Sequence, residues 1–309
     1  MENLKGKTAF ITGGASGIGL GIAKASAKEG MNVVIADMRQ SAIDEAVALF
    51  KENGWPVLGL ELNVSDRAAY VKAADAAEAA FGNIHLLVNN AGIGCAGGPL
   101  WAVEDKDTDI AISVNLIGVL NGIKTIVPRI IAHGEGGHIV STASKAALIP
   151  VPGCGLYNVT KSAVLGVMLT LAMDLVGTNV GASAFCPGGY ITNLGASSGF
   201  VTAAMSGEAP PPPPPAPPAD AAAPAFAMDW DGLLRSPDDA GERVLRGVKR
   251  GDLYILTHAE FKEGYEEHAQ AVLRAFPEEV ANPRYGATFT NLTRNDIFNE
   301  QKQVPALGK

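Results

Sequence analysis

Residues 8–19, TAFITGGASGIG, decide the fold, because they join a short apolar strand to a glycine-rich turn and the start of a helix. A pyrophosphate requires bare backbone close by and the amide-rich, positive end of a helix. Gly13, Gly17 and Gly19 remove the Cβ atoms that would block such an approach. The spacing is G-x-x-x-G-x-G rather than G-x-G-x-x-G. The segment therefore predicts a phosphate-binding turn after the first strand.

Apolar runs alternate with helical patterns along most of the chain. Strands are predicted over Thr8–Thr12, Asn32–Ala36, Val57–Leu62, Ile84–Asn89, His138–Thr142, Val180–Cys186 and Leu253–Leu256. Helices are predicted over Gly17–Lys28, Ile43–Asn53, Arg67–Phe81 with Asp66 as N-cap, Thr108–His133, Leu156–Val176, Asp238–Lys249 and Glu260–Ala275. This alternation is typical of a parallel sheet covered on both faces. The fold class is therefore α/β, a single Rossmann-type doubly wound parallel sheet with its ligands at the carboxyl ends of the strands.

The 309 residues are interpreted as one Rossmann-type domain over residues 1–280, followed by a tail over residues 281–309. Within the domain, residues 193–236 form a substrate loop that contains eight prolines between Pro210 and Pro218. Polyproline lacks backbone donors and cannot form helix or internal strand. We expect an exposed insertion whose apolar flanks help to close the substrate pocket, and a proline-rich docking peptide is the alternative. The tail is either an arm on a neighbouring subunit or disordered.

The charge balance argues against several partners. The chain has 24 Lys and Arg against 32 Asp and Glu, a net charge of −8, whereas nucleic acids and anionic membranes attract basic surfaces. The sequence shows no signal peptide and no long uninterrupted apolar stretch, and its three cysteines do not suggest disulfides, so a cytoplasmic location is expected. The five histidines lack ligand spacing, and Asp105, Asp107 and Asp109 lack the rest of a calcium loop, so no metal is predicted.

An acid at the end of the second strand bears on the cofactor. Asp37 can accept hydrogen bonds from the adenosine ribose and would repel a 2′-phosphate. This favours NAD over NADP. Arg39, two residues later, is interpreted as a solvated charge or a plane for adenine stacking, and pairing with a phosphate is its alternative.

A second motif supplies catalytic side chains. Tyr157 and Lys161 lie four residues apart on one face of a predicted helix, and Ser144 precedes Tyr157 by thirteen residues. Ser141 is a rival serine, but it falls inside the strand. Together with the glycine turn, the run Asn89-Asn90-Ala91-Gly92 and Asn115, these residues resemble the short-chain dehydrogenase/reductase family over roughly Lys5–Thr192, and more loosely up to about Ala275.

The resemblance implies an oxidoreductase that transfers a hydride between nicotinamide and an alcohol or ketone. It assigns catalysis to Asn115, Ser144, Tyr157 and Lys161. It assigns cofactor contacts to Gly13, Ser16, Gly17, Ile18, Gly19, Asp37, Arg39, Asn63, Val64, Asn90, Ala91, Gly92, Tyr157, Lys161, Pro187, Gly188, Ile191 and Thr192. The family usually has Asp where Asn63 stands, and Asn can still accept a hydrogen bond.

Each catalytic residue has a chemical role under this interpretation. Tyr157 is the general base or acid, and the Lys161 ammonium together with the oxidised nicotinamide is expected to lower the pKa of its phenol from about 10 toward working pH. Lys161 also holds the ribose hydroxyls. Ser144 orients the substrate oxygen, and Asn115 places a water that links Lys161 to solvent.

The substrate is expected to be a hydrophobic secondary alcohol or ketone, aromatic ones included. Leu148, Ile149, Val151, Leu156, Tyr190, Leu194 and Phe200 are apolar, and no charged residue falls within 146–156. The run GDLYILTH at residues 251–258 and the FKEG that begins at Phe261 are similar to bacterial members that include the Cα-dehydrogenases of lignin-type aryl ethers.

The predicted helices 108–133 and 156–176 resemble those that the family uses to form dimers, so a homodimer or homotetramer is expected. Two other functions remain open: a regulator that binds the cofactor without turnover, and a scaffold that docks through its prolines.

Overall fold

Seven parallel strands form one sheet in the computed structural model, which describes residues 1–95, 97–209, 232–278 and 295–298. The strands are β1 Thr8–Thr12, β2 Asn32–Asp37, β3 Val57–Glu61, β4 Ile84–Asn89, β5 Gly137–Thr142, β6 Val180–Cys186 and β7 Tyr254–Leu256. Their order across the sheet is β3-β2-β1-β4-β5-β6-β7. The order reverses between β1 and β4, and a doubly wound sheet opens its ligand crevice at such a switch point. The predicted fold class is confirmed.

The described helices cover both faces of the sheet. They are α1 Gly17–Lys28, α2 Gln40–Glu52, α3 Arg67–Phe81, α4 Asp105–Ile112, α5 Gly118–His133, α6 Gly155–Asp174, α7 Leu194–Ser206, α8 Pro237–Arg250 and α9 Lys262–Arg274. Side chains alternate along each strand, so Phe10 of β1 packs with α3 to α6 while its neighbours Ala9 and Ile11 pack with α1, α2 and α8. The central strands β1, β4 and β5 are therefore buried on both sides, which explains their continuous apolar runs, whereas β3 and β7 at the sheet edges are only partly buried.

Two helical regions differ from the sequence prediction. The single helix predicted over 108–133 is α4 and α5 joined by a π-helical turn at Ser113–Ile117. Helix α7 lies in the segment predicted to be a loop. The sequence did not predict it because LGASSGFVTAAMS is rich in small residues and has no clear apolar period. The Ser198 hydroxyl in α7 accepts a hydrogen bond from the Gly94 amide at 2.8 Å, so the start of this helix is attached to the loop after β4.

The proline run at 210–218, its apolar flank after residue 218 and most of the tail lie outside the described residues. Two helical stretches, Asp105–His133 and Gly155–Asp174, are long and apolar enough to span a membrane by length and composition alone. Their buried residues, among them Ile126 and Met168, pack on the sheet within one core cluster. Core packing therefore accounts for the buried apolar residues of both stretches, whereas others, such as Ile131 and Val159, are exposed.

Helices α1 and α8 approach each other through glycines. A Cβ added to Gly21 would lie 1.8 Å from the carbonyl oxygen of Pro237, and one added to Gly241 would lie 2.2 Å from the carbonyl oxygen of Gly21. Neither clash involves a flexible side chain, so the backbones themselves would have to separate. Helix α1 carries the glycine turn at its N-terminus, so this contact also holds the predicted phosphate site in place.

The substitution Gly241→Ala is expected to lower the free energy of unfolding by about 1–3 kcal/mol, because an overpacked backbone contact must shift. Urea unfolding followed by circular dichroism measures this change. Gly195→Ala is the matched control, because Gly195 lies exposed in the first turn of α7 with no atom within 4 Å of the added Cβ. It should change stability by less than about 0.5 kcal/mol. An equal effect of both substitutions would contradict the assigned role of the α1–α8 contact.

Candidate active site

A cleft of ≈ 260 Å³ opens at the carboxyl ends of the strands, at the β1–β4 switch point. Most of the residues that the sequence assigned to the site line it. They are Gly13, Ser16, Gly17, Ile18, Asp37, Arg39, Asn63, Val64, Asn90, Ala91, Gly92, Ser144, Tyr157, Lys161, Pro187, Gly188 and Thr192. Residues far apart in the chain thus meet in one cleft, as the parallel topology requires.

The glycine turn has the geometry that a phosphate group needs. Gly13 has φ +60° and Gly17 has φ +51°, a backbone conformation that residues other than glycine rarely adopt. Gly19 does not line the cleft but packs against the turn. A Cβ at this position would clash with the carbonyl oxygen of Gly13. Ser16 caps α1 without a side-chain hydrogen bond to the helix. The first backbone amides of α1 therefore remain without this side-chain cap, and the cradle fits a pyrophosphate.

The second strand ends in a connected group of polar side chains. Asp37 is 7% exposed, and its carboxylate accepts from the Ala15 amide at 3.4 Å and from the Arg39 side chain at 3.3 Å. Arg39 also donates to the Ser16 hydroxyl at 2.8 Å. The guanidinium is therefore held across the glycine turn by an acid and a hydroxyl, and it lines the same cleft.

Three of the assigned catalytic side chains meet at the middle of the cleft. Ser144 and Tyr157 both line the cleft, and the Ser144 hydroxyl accepts from the Ala146 amide at 3.1 Å. The Lys161 ammonium lies 5.6 Å from the centre of the Tyr157 ring and donates to the Thr142 carbonyl at 2.9 Å. Tyr157 and Lys161 share one face of α6, and Ser144 follows β5, so the ends of two adjacent elements fix the geometry.

Ser141, the rival serine, is fully buried inside β5, where its hydroxyl accepts from the Asn89 amide at 3.2 Å. It does not line the cleft, whereas Ser144 does. The geometry therefore favours Ser144.

Asn115 lies directly behind the cleft, within the π-helical turn. Its side-chain oxygen accepts from the Ile93 amide at 2.8 Å, and its side-chain nitrogen donates to the Ile93 carbonyl at 3.0 Å and to the Thr160 hydroxyl at 3.2 Å. A Cβ on Gly92 would lie 3.2 Å from the Asn115 oxygen and 3.5 Å from the Lys161 nitrogen. Glycine at position 92 thus lets the asparagine and the lysine approach each other.

Burial shifts the pKa of the two ionisable groups that the sequence assigned to catalysis. It lowers the pKa of Lys161 to about 8. It raises the pKa of Tyr157, and the nearby Ser144 hydroxyl only partly opposes this effect. The expected lowering of the phenol pKa by Lys161 is thus not seen in the protein alone. Removing the phenolate from water destabilises it by more than the neighbouring groups stabilise it.

One assigned residue differs from its expected place. The side chain of Ile191 is 60% exposed outside the cleft, and its amide donates to the Arg235 carbonyl at 2.9 Å. Several apolar residues assigned to the substrate wall do not line the cleft either, namely Leu148, Ile149, Val151, Leu156 and Phe200. Leu148 and Ile149 instead contact α9, through the His268 ring and Gly264. Helix α9 therefore covers the loop that follows Ser144.

The cleft also contains residues that sequence reasoning missed, namely Met38, Leu62, Val114, Thr142 and Ala143. The predicted substrate loop 193–236 contributes Asn193, Ser197 and Val201. Most of the missed residues flank an assigned residue directly, so extending each motif by one or two positions would have found them. Cys95 was missed as well: its sulfur accepts from the Asn115 side chain at 3.8 Å, and burial raises the pKa of its thiol.

Within the described part of the chain, His85, His133 and Glu135 bring ligand-type atoms within 4.8 Å of one another. The two ring nitrogens of His133 already hydrogen-bond with the Ile84 carbonyl and the Glu135 amide. His85 hydrogen-bonds with the Thr8 amide and with the Glu135 carboxylate. These contacts occupy the lone pairs that a metal ion would need.

Comparison with known proteins agrees with the geometry. The family model described as short chain dehydrogenase matches residues 7–199. A Cα-dehydrogenase from Sphingobium sp. strain SYK-6 is 34% identical over 284 residues, which cover 92% of this chain and 90% of the relative.

Two solved structures are also similar. A short-chain dehydrogenase/reductase from Burkholderia phymatum in complex with NAD is 32% identical, with a TM-score of 0.76 over 91% of this chain and all of that one. A short chain dehydrogenase from Burkholderia cenocepacia in complex with NADP is 30% identical, with a TM-score of 0.63 over 80% of this chain and 91% of that one. The fold thus binds nicotinamide cofactors of both kinds.

The buried Lys161 ammonium is expected to cost stability. Its pKa in the folded state, about 8, lies below the value of 10.5 in the unfolded chain. The unfolded chain therefore binds more protons between these two values, and the stability of the wild type rises with pH across this window. Lys161→Met removes the cost of burying the ammonium and should therefore raise the free energy of unfolding at pH 7 by on the order of 2 kcal/mol.

Urea unfolding at several pH values between 7 and about 10.5 measures this effect, because the advantage of Lys161→Met should shrink as the pH rises. Lys72→Met, on the exposed face of α3, is the control and should change stability by less than about 0.5 kcal/mol. A pH-independent difference, or a less stable Lys161→Met protein at pH 7, would show that burial of the charge is not costly.

Proposed function

Since the chain belongs to the short-chain dehydrogenase family, we propose that it is an NAD-dependent oxidoreductase that interconverts a hydrophobic secondary alcohol, aromatic ones included, and its ketone. The observation that carries the proposal is that Ser144, Tyr157 and Lys161 line one cleft with the glycine turn, with the Lys161 ammonium 5.6 Å from the centre of the Tyr157 ring. The proposal assigns a chemical task to each of these side chains.

Tyr157 takes the hydroxyl proton of the alcohol in oxidation and returns it in reduction. The Ser144 hydroxyl holds the substrate oxygen and, as a neighbouring donor, favours the phenolate form of Tyr157. An oxidised nicotinamide held in the cleft would supply the hydride acceptor and a positive charge that also favours phenolate. Tyr157 therefore acts as a general base mainly when the cofactor is bound, and its phenol stays protonated in the free enzyme.

Lys161 serves binding and charge. Its ammonium is fixed by the Thr142 carbonyl at 2.9 Å and lies in the cleft beside Gly92, where it can donate to the ribose hydroxyls. With a pKa of about 8, the group is mostly charged near neutral pH but can release its proton at little cost. Asn115 keeps the backbone around it in place through Ile93 and Thr160, so that a water can connect the ammonium with solvent.

The preference for NAD rests on Asp37. The carboxylate is buried at the end of β2 and holds Arg39 at 3.3 Å, so the nearest cation is already engaged. A 2′-phosphate would meet this acid, whereas two ribose hydroxyls can donate to it. Arg39 remains the route by which NADP could bind, since it lines the same cleft and its bond with Ser16 can exchange for a phosphate oxygen.

The substrate class rests on the outer part of the cleft, where Ile93, Leu194 and Val201 present apolar surface. The similar Sphingobium enzyme is named a Cα-dehydrogenase, which is consistent with a benzylic alcohol. We also propose a homo-oligomer, because the described helices α5 and α6 expose Ile131, Val159 and Met173. A regulator without turnover remains the alternative function.

Tyr157→Phe is expected to lower kcat/KM for any accepted alcohol by about a hundredfold or more, because the general base is lost. The measurement is NADH formation over a panel of secondary alcohols that includes bulky benzylic ones, with NADH binding determined in parallel by fluorescence. Binding should change little. Tyr265→Phe, an exposed tyrosine on α9, is the control. Cofactor binding without turnover in the wild type would favour the regulator.

Asp37→Ala is expected to narrow the preference of the enzyme for NAD over NADP by about tenfold or more, because it removes the repulsion of a 2′-phosphate and releases Arg39. Steady-state kinetics with both cofactors in the wild type, Asp37→Ala and Arg39→Ala test this. If the wild type uses NADP as efficiently as NAD, then Asp37 does not select the cofactor and Arg39 is a phosphate ligand.

A further inference from the structure

Lys145 directly follows Ser144 and begins the short helical turn Lys145–Ala147. Its backbone amide donates to the Pro187 carbonyl at 2.9 Å, which joins the ends of β5 and β6. Ser144, Pro187 and Gly188 all line the cleft. Lys145 itself does not line the cleft, so it stands at the margin of the reaction site, next to three residues that do.

The ammonium of Lys145 is held in one place. It lies 4.9 Å from the centre of the Phe261 ring, within the range of a cation–π contact. Phe261 in turn packs against Gly188, since a Cβ on that glycine would lie 2.6 Å from the ring. The ammonium also interacts electrostatically with Cys154, three residues before Tyr157. The charge thus lies between the C-terminal segment and the start of α6, beside the substrate cleft.

This cation lacks an acidic partner in the described part of the chain. Other lysines near carboxylates, such as Lys24 with Asp238 at 2.7 Å, form ion pairs, whereas no carboxylate of the described residues lies within 4.0 Å of the Lys145 nitrogen. The side chain is half-buried, and this burial lowers the pKa of its ammonium. A partly desolvated charge that faces only an aromatic ring gains strongly from an anion.

We propose that Lys145 is a specificity-determining residue that binds a carboxylate carried by the substrate, so that the preferred substrate is an apolar secondary alcohol with one negative charge away from its carbinol. This proposal rests on the proposed function for the reaction itself. One ammonium matches the single charge of a carboxylate, and the Phe261 face beside it accommodates the apolar body of the same molecule. The net charge of −8 on the chain makes a local cation necessary for attracting such a substrate.

The test compares matched ligands that differ only in charge. The 3- and 4-acetylbenzoates and the corresponding acetylbenzamides are bound to the full-length protein with and without NAD⁺, which cannot transfer a hydride to a ketone, and affinity is measured by calorimetry. The wild type is expected to bind one of the carboxylates about tenfold more tightly than its amide. Lys145→Met keeps the aliphatic stem but not the charge, so it should abolish this difference while the affinity for the amide changes by less than about twofold.

Lys145→Arg should retain the preference, and Lys72→Met, on the exposed face of α3, should leave it unchanged. If Lys145→Met fails to fold, Lys145→Gln carries the same comparison, because the amide serves as an internal reference in each protein. Equal binding of acid and amide by the wild type, binding of neither, or a preference that survives removal of the charge would each overturn the proposal.

Turnover is read separately, with the 3- and 4-(1-hydroxyethyl)benzoates and their amides as substrates. Carboxylate binding without oxidation of any of these alcohols would contradict the proposed function for this class and still support the role of Lys145. Oxidation of acid and amide with equal kcat/KM would support the proposed function and contradict the role of Lys145.

Discussion

The close approach of backbone to backbone at the end of β1 is the constraint on which the site depends. Asn90 donates from its side chain to the carbonyls of Thr12 and Gly13, both at 3.2 Å, and accepts from the Thr142 hydroxyl at 3.2 Å. One side chain thereby ties together the ends of β1, β4 and β5. Because Gly13 and Gly19 carry no Cβ, α1 can start directly above this junction. The phosphate cradle and the catalytic end of β5 are therefore parts of one rigid unit.

The candidate active site carries an electrostatic cost for the stability of the fold. Lys161 is buried and Tyr157 beside it is half-buried, and partial removal from water disfavours the charged form of each group. The hydrogen bond from the Lys161 ammonium to the Thr142 carbonyl at 2.9 Å offsets part of this cost. Preorganised groups of this kind can stabilise charge that develops in a reaction.

Much of the fold and of the site could be predicted from the sequence, because both depend on short local signals. Buried strands such as Val180–Cys186 read as apolar runs, and the Asp66 cap of α3 stands at the predicted position, where its carboxylate accepts from the Ala68 and Ala69 amides. Helix α7 could not be predicted, since small residues leave no apolar period and its attachment to Gly94 is a long-range contact.

Lys145 shows a different limit of sequence reasoning. It stands one residue before the uncharged window at 146–156, and nothing local indicates that Phe261, far along the chain, lies over its ammonium. Likewise, the exposure of Ile191 depends on the Arg235 carbonyl, which pairs with its amide. Such positions are set by segments that meet only after folding.

The π-helical turn at Ser113–Ile117 fixes the number of residues in this region, because that number sets the position of Asn115. Such a turn contains one residue more than the regular helix around it. Deleting that residue would rotate either Asn115 or the whole of α5 by about 100° about the helix axis. An insertion would have the opposite effect, so the chain cannot gain or lose residues here without moving the asparagine away from Ile93. The number of residues from Asn115 to the start of α5 is therefore fixed by the geometry of the helix, whereas the connections on either side of α4 and α5 carry no such constraint.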